Sequence, residues 1–251
     1  ACRILDRDTN SYDYTGESWA QPHEWTIDGR TVSISLEDLN GRVNPAAIVA
    51  ADGRVNTVLQ NLFANILVLV QAPSSLMDCF LDWVDADRMP RVSGAEDEYY
   101  QSLPTPYRCP NRPIRSVQEL RLIKGFTPEI LDGNEEEGRA ALLDLVTADS
   151  DSTINVNTCP GLVLRAMGFG EAQVAQILAE REERPLSDSF LTAVNREAYI
   201  AFRSIIRFKS RHFLVVSQVV SADGHEVMCR AVVEKGGGGS QRTRIVRMEH
   251  L

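Results

Sequence analysis

No apolar run in the chain is long enough to cross a bilayer: the longest lies within Ala64 to Val70, against the roughly 18 residues that a spanning helix needs. The first residue is Ala1, with no Met, no charged segment and no apolar segment behind it, so the chain reads as a trimmed or processed piece without an export signal of its own. Basic residues are few, 26 Lys plus Arg against 35 Asp plus Glu, and a formal charge of −9 argues against a protein built to grip phosphate backbones. The five cysteines (Cys2, Cys79, Cys109, Cys159 and Cys229) include no C-x-x-C pair, which excludes a zinc ribbon, and an odd number does not describe a disulfide framework. Two readings stay open for them: buried free thiols, or a Cys79–Cys109 bridge if the chain resides in an oxidising space. No G-x-S-x-G, Walker loop, H-E-x-x-H or Rossmann fingerprint occurs, and His23, His212, His225 and His250 stand singly. No catalytic constellation is visible, and no enzyme is expected.

What is present is an ordinary globular composition, 251 residues with 43% hydrophobic and 24% charged, able to bury a core without staples. Around Asp28-Gly29 the residues of EWTIDGRTVSISLEDL alternate apolar and polar, which predicts a hairpin. From Val58 to Val70 the apolar spacing becomes helical, and Ser75-x-x-Asp78 reads as a capping box opening a second helix. Helices are further predicted over Ser116–Ile123, Glu136–Leu145, Pro160–Met167, Glu171–Arg181 and Ser187–Val194. Strands return over Phe213–Ser221 and Glu226–Glu234, joined across Asp223-Gly224, with another at Arg244–Met248. The stretch Gly236 to Ser240 has the composition of a flexible loop or of an engineered linker. Strands, then helices, then strands predict an α+β fold in which an all-α domain of residues 46–204 is inserted into a discontinuous sheet domain of residues 1–45 and 205–251.

Charge is concentrated. Asp78, Asp82, Asp85, Asp87, Glu96, Asp97 and Glu98 face only Arg88 and Arg91, whereas from Phe202 onward nine basic residues outnumber four acids; the two regions are expected in different structural units. On the predicted helix Leu76, Phe80, Trp83 and Val84 share one face, and Asp78, Asp82 and Asp85 stack on the other. Stacked carboxylates repel and, at a helix C-terminus, oppose the macrodipole. A hard dication taking about six to eight oxygens would compensate them, with Ca2+ favoured over Mg2+, which demands strict octahedral geometry. Asp85, Asp87 and Glu96 fall at positions 1, 3 and 12 of an EF-hand-length loop, but Met89 and Pro90 occupy positions where a ligand and the turn Gly belong, so this is no EF-hand. Asp82 and Asp97 are the further candidate ligands. The residues alone leave a second reading open: a solvated acidic face partly neutralised by Arg88 and Arg91. A glycosidase-like acid pair has no marked sugar cleft to support it.

INVNTCPGLVLRAMGFGEAQVAQILAERE resembles a helix-hairpin-helix, and ELRLIKGF has a similar cast. A helix N-terminus after Gly168-Phe169-Gly170 can receive a phosphate, which makes a nucleic-acid-binding protein the alternative reading. Here the turn is followed by Glu171 and the helix ends in a mixed Glu/Arg run, so a packing module is expected, with Asn155 and Asn157 bonding loop backbone.

Four blocks, ISLEDLNGRVNPAAIV, FLDWVDADRMPRVSGAEDEYY, PYRCPNRPIRSVQELRLIKGF and INVNTCPGLVLRAMGF, come in the order seen in general secretion pathway protein K, the K-class minor pseudopilin of the type II secretion system, which this chain resembles from about Trp19 to Phe213 and more loosely to its end. Cys159 departs from the Ala usual after I-N-V-N-T. The resemblance implies a pseudopilin-like antiparallel sheet, its N-terminal helix largely missing here, carrying a helical insertion. It implies a periplasmic domain of an inner-membrane-anchored protein, tethered only through an N-terminal helix absent from this chain. It also implies a place at the pseudopilus tip with I- and J-class minor pseudopilins, where the protein initiates assembly, limits length and supports secretion. Finally it implies Ca2+ in the helical domain, at the matching acids Asp82, Asp85, Asp87, Glu96 and Asp97.

Overall fold

The computed structural model describes residues 1–220, 225–236 and 242–250. The chain opens with a short helix, α1 (Cys2–Arg7), and then forms the predicted hairpin. Asp28 and Gly29 hold φ of 50° and 73°, a turn whose twist matches that of paired strands, and they join β1 (His23–Ile27) to β2 (Arg30–Asp38) with Ile27 opposite Arg30. The long stretch after β2 carries four helices separated by loops: α2 (Thr57–Leu69), α3 (Ser75–Val84), α4 (Asp97–Gln101) and α5 (Pro128–Leu131). After the two-residue strand β3 (Ile154–Asn155) come α6 (Gly161–Ala166), α7 (Glu171–Glu183) and α8 (Asp188–Phe202). The strand β4 (Ile206–Arg207) pairs parallel with β3. Then β5 (His212–Val220), β6 (Glu226–Glu234) and β7 (Arg244–His250) complete an antiparallel sheet in the order β1-β2-β5-β6-β7. The helices are therefore threaded between two neighbouring strands, β2 and β5. The turn at Asp223-Gly224 and residues 237–240 of the glycine-rich stretch lie outside the described residues. No described helix is long and apolar enough to cross a membrane.

Each region has its own core. In the helical region Leu59, Leu62, Phe63 and Ile66 of α2 interlock with Phe80 and Trp83 of α3, Leu164 of α6 and Ile177 of α7. On the sheet, Leu5 of α1 packs with Trp19, Leu36, Phe213, Val215 and Val233, and Trp19 meets Phe213 edge-on at 5.0 Å. Between the cores lies a polar seam. The buried Asp38 carboxylate accepts from Asn40 N at 2.8 Å, Ser210 Oγ at 2.5 Å, Thr158 Oγ1 at 2.6 Å and Asn155 Nδ2 at 3.0 Å. Asn40 Oδ1 in turn accepts from the backbone of Arg211 and His212. Asn157 accepts from Leu186 N and donates to Phe208 O. The I-N-V-N-T block is thus the joint between helices and sheet, each Asn satisfying buried backbone that neither core can.

Three local expectations need correction. Glu136–Leu145 is not a helix: Asn134 Oδ1 accepts from the N–H groups of Glu136 and Glu137, and Gly133 and Gly138 sit at φ of 71° and 65°. An Asx turn takes the donors a first helical turn would use, leaving only a 3-10 turn at Leu142–Asp144. Val117–Leu122 is likewise 3-10 rather than α. The second helix starts at Ser75 as expected but without a side-chain cap, because Asp78 turns its carboxylate to Ser93 N instead. The end predicted at Val194 marks a real break: Asn195 has φ −158° and ψ 97° inside α8, and its side chain caps a second helical segment through Ala198 N.

Candidate metal centre

The acidic stripe of α3 is not a solvated face. Asp78 accepts from Ser93 N at 3.1 Å, and Asp82, with no exposed surface, accepts from Arg91 N. These bonds fold the loop after Asp85 back over the helix that precedes it. Close approach needs Gly94, where a Cβ would lie 1.8 Å from Asp82 Oδ2. Gly94→Ala is expected to cost about 1–3 kcal/mol in urea unfolding, while Val92→Ala, on the fully exposed side of the same loop, leaves the midpoint unchanged.

The loop returns three carboxylates to one spot. Asp85 after α3, Asp87 in the loop and Glu96 before α4 each place an oxygen within 4.8 Å of the others. Arg91 covers one side only, its guanidinium contacting Asp82 Oδ1 at 2.6 Å and Asp85 Oδ2 at 2.5 Å. On the other side Asp85 Oδ1 and both Glu96 oxygens are buried and have no hydrogen-bond partner among the described residues. Glu96 is only 5% exposed. Burial, with the charges of Asp82, Asp85 and Asp87 added, pushes its carboxyl up to about 7. Buried carboxylate oxygens facing one another without donors are costly, and they are the oxygen-rich donor set that a hard dication takes. The residues fit such an ion.

Asp82 and Asp97 take other places. Asp82 is held by Arg91 behind the cluster, and Asp97 Oδ1 accepts from Cys109 N at 2.9 Å, tying a later segment to α4. Arg91 performs the neutralisation anticipated for the arginines. The Cys79–Cys109 bridge is not formed: both are free thiols. Cys79 Sγ donates to Ser93 O and Cys109 Sγ to Asp82 O. Burial raises both pKa values, that of Cys109 to about 12, so each stays a protonated donor. Two contributors were missed from sequence. Gly94 carries no signal until its neighbour is known, and Asn111, at φ 45°, donates to Asp87 O at 2.5 Å; a polar residue type that tolerates positive φ was its only signal. A second acidic group, Asp8, Asp13 and Glu17, is no counterpart, since Lys235 Nζ binds Asp8 and Asp13 and Trp19 Nε1 donates to Glu17.

Residues 36–135, from β2 through the acidic loop, match the family profile described as type II secretion system (T2SS), protein K. Type II secretion system protein K of Pseudomonas aeruginosa is 30% identical over 240 residues, which cover 92% of this chain and 69% of that protein. The chain belongs to the type II secretion system protein K family. The protein K of Pectobacterium carotovorum subsp. carotovorum is 26% identical over 200 residues, 73% of this chain and 59% of its own length. A chain in the crystal structure of the GspK-GspI-GspJ complex from the enterotoxigenic Escherichia coli type 2 secretion system shares the fold, with a TM-score of 0.75 over all of this chain and 90% of that one, at 20% identity. The protein K family is a component of secretion machinery, and the acidic loop lies inside the matched segment.

Proposed function

We propose that this protein is a minor pseudopilin of the type II secretion system that assembles with I- and J-class partners at the pseudopilus tip, and that it works as a structural part rather than an enzyme. The observation that carries the reading is the likeness over the whole chain to a chain of a GspK-GspI-GspJ complex, in a member of the protein K family. The division into a sheet unit of residues 1–45 and 205–251 and a helical unit of residues 46–204 is supported by two separate cores, although Val43, Ile205 and Ile206 at its borders pack into the helical one. A bulky helical unit inserted between β2 and β5 lets subunits pack below and blocks stacking above, which caps a growing filament. The working compartment is the periplasm, with anchorage to the inner membrane through a segment outside this chain. There Ca2+ bound by Asp85, Asp87 and Glu96 fixes the loop onto α3, while Asp82 and Asp97 hold the backbone around it.

The helix-hairpin-helix resemblance is read as packing. Gly170 N donates to Gln173 Oε1, which also accepts from Asn195, so the helix start is committed to α8. At the sheet, Arg211 and Arg244 both pair with Glu234. Mixing the protein with the I and J pseudopilins of its own organism is expected to give a 1:1:1 complex by light scattering; three separate folded monomers would contradict the tip role. A DNA titration at low salt is expected to show no tight binding, and steeply salt-dependent affinity would revive the nucleic-acid reading.

A further inference from the structure

The segment from Cys109 to Asn111 is tied to the acidic loop at two points. Its backbone is pinned where Asp97 accepts from Cys109 N, and two residues later the Asn111 side chain reaches the loop through Nδ2, donating to Asp87 O. That bond fixes the amide's orientation: Nδ2 is used, so Oδ1 is the acceptor left over. Oδ1 is buried and has no hydrogen-bond partner among the described residues, as with Asp85 Oδ1 and both Glu96 oxygens. Asn111 also keeps a left-handed backbone, φ 45°, which Asn tolerates better than most residues. Asp85, Asp87 and Glu96 converge within 4.8 Å, the Asn111 amide is fastened to Asp87 of that group, and its unfilled Oδ1 is the uncharged oxygen beside it.

We propose that Asn111 Oδ1 is a neutral ligand of the cation held by Asp85, Asp87 and Glu96. The assignment rests on those three carboxylates holding a metal ion. An amide oxygen adds coordination without further repulsion among three carboxylates already partly offset by Arg91, and Ca2+ accepts such carbonyl-type oxygens readily. Because the same amide grips Asp87 O, binding through Oδ1 also locks the segment after Cys109 to the loop after α3.

The test uses the full chain with Tb3+, a luminescent stand-in for Ca2+, and with Ca2+ itself. Lifetimes in H2O and D2O count the waters on bound Tb3+, and calorimetry gives the Ca2+ affinity. Asn111→Gly keeps the backbone conformation and removes the oxygen. It is expected to weaken Ca2+ binding about 10- to 100-fold and to raise the water count by roughly one as solvent replaces the amide. Asn111→Asp restores an oxygen and is expected to return the wild-type water count. Melting in chelator separates ligation from folding: Asn111→Gly loses the bond to Asp87 O in either condition, a modest loss of stability, and its deficit should grow when Ca2+ is present. An unchanged water count and affinity in Asn111→Gly would overturn the proposal while leaving the carboxylate site standing. Failure of the wild-type chain to bind either ion, with Glu96→Gln behaving identically, would remove the site and this ligand together.

Discussion

Stripping divalent cations with a chelator is expected to lower the melting temperature by about 5–15 °C relative to protein held at a hundred- to thousand-fold excess of calcium over its dissociation constant. Ligand that binds only the folded state stabilises it by about 2.7 to 4.1 kcal/mol over that range, and each kcal/mol moves the midpoint of a protein this size by about 2–4 °C. The effect has a pH signature. Burial and the neighbouring carboxylates hold the Glu96 carboxyl at about 7 instead of its ordinary 4.5. In chelator the folded state therefore keeps a proton that the unfolded state has released. The resulting stability is full below about pH 4.5 and is lost as pH rises through about 7, roughly 3 kcal/mol in all. Calcium has the opposite dependence, because it needs Glu96 ionised. The chelator shift should be small at pH 5 and largest at pH 8. Glu96→Gln should melt above the wild-type chain in chelator at pH 8 and show no response to calcium. An equal chelator shift at both pH values would separate the metal from Glu96.

Lys235→Met is expected to cost about 3–5 kcal/mol in urea unfolding at pH 7.5, because it leaves buried carboxylates unpaired. Lys235 is almost wholly buried just after β6, with Nζ 2.5 Å from Asp8 Oδ2 and from Asp13 Oδ1. Burial alone would lower its pKa, but the two carboxylates raise it and keep the ammonium charged. Asp13 is pushed up to about 6 by burial even with Lys235 beside it, and it also accepts from Ser210 N. The ammonium thus ties the segment after α1 to the far end of the sheet and, through Ser210, to the Asp38 seam. Because Lys235 itself lowers the Asp13 pKa, removing it raises that pKa further, so the penalty should shrink as pH falls towards about 6 and change little below it. Adding Asp13→Asn to Lys235→Met should recover part of the loss at pH 7.5. A single substitution as stable as wild type at pH 7.5 would show that the ion triad holds nothing together.

Much of the fold was readable where structure is set by neighbours in sequence. Asp28-Gly29 specified its own turn, the apolar spacing from Val58 to Val70 specified α2, and the end at Val194 coincided with the Asn195 break. Failures came where a local signal was overridden by something distant or competing. The Ser75 and Asp78 pattern suits a capping box, yet Asp78 serves Ser93, fifteen residues on. The 136–145 segment has helix-forming composition, but Asn134 and two glycines with positive φ impose a turn. Of the five acids singled out as metal ligands, Asp85, Asp87 and Glu96 do converge. Spacing could not tell which acids face a common point and which are consumed by backbone N–H groups, and so did not separate Asp82 and Asp97 from the other three. The I-N-V-N-T block was legible as a unit, but its task, bonding Asp38, Ser210 and Phe208 across the seam, depends on pairings more than fifty residues apart.

The most direct measurement is a crystal structure grown in millimolar calcium, with diffraction collected where calcium scatters anomalously. An anomalous peak is expected about 2.3–2.6 Å from oxygens of Asp85, Asp87 and Glu96, with Arg91 on the opposite side of Asp85. Glu96 turned out to solvent, with no peak among the three carboxylates, would contradict it.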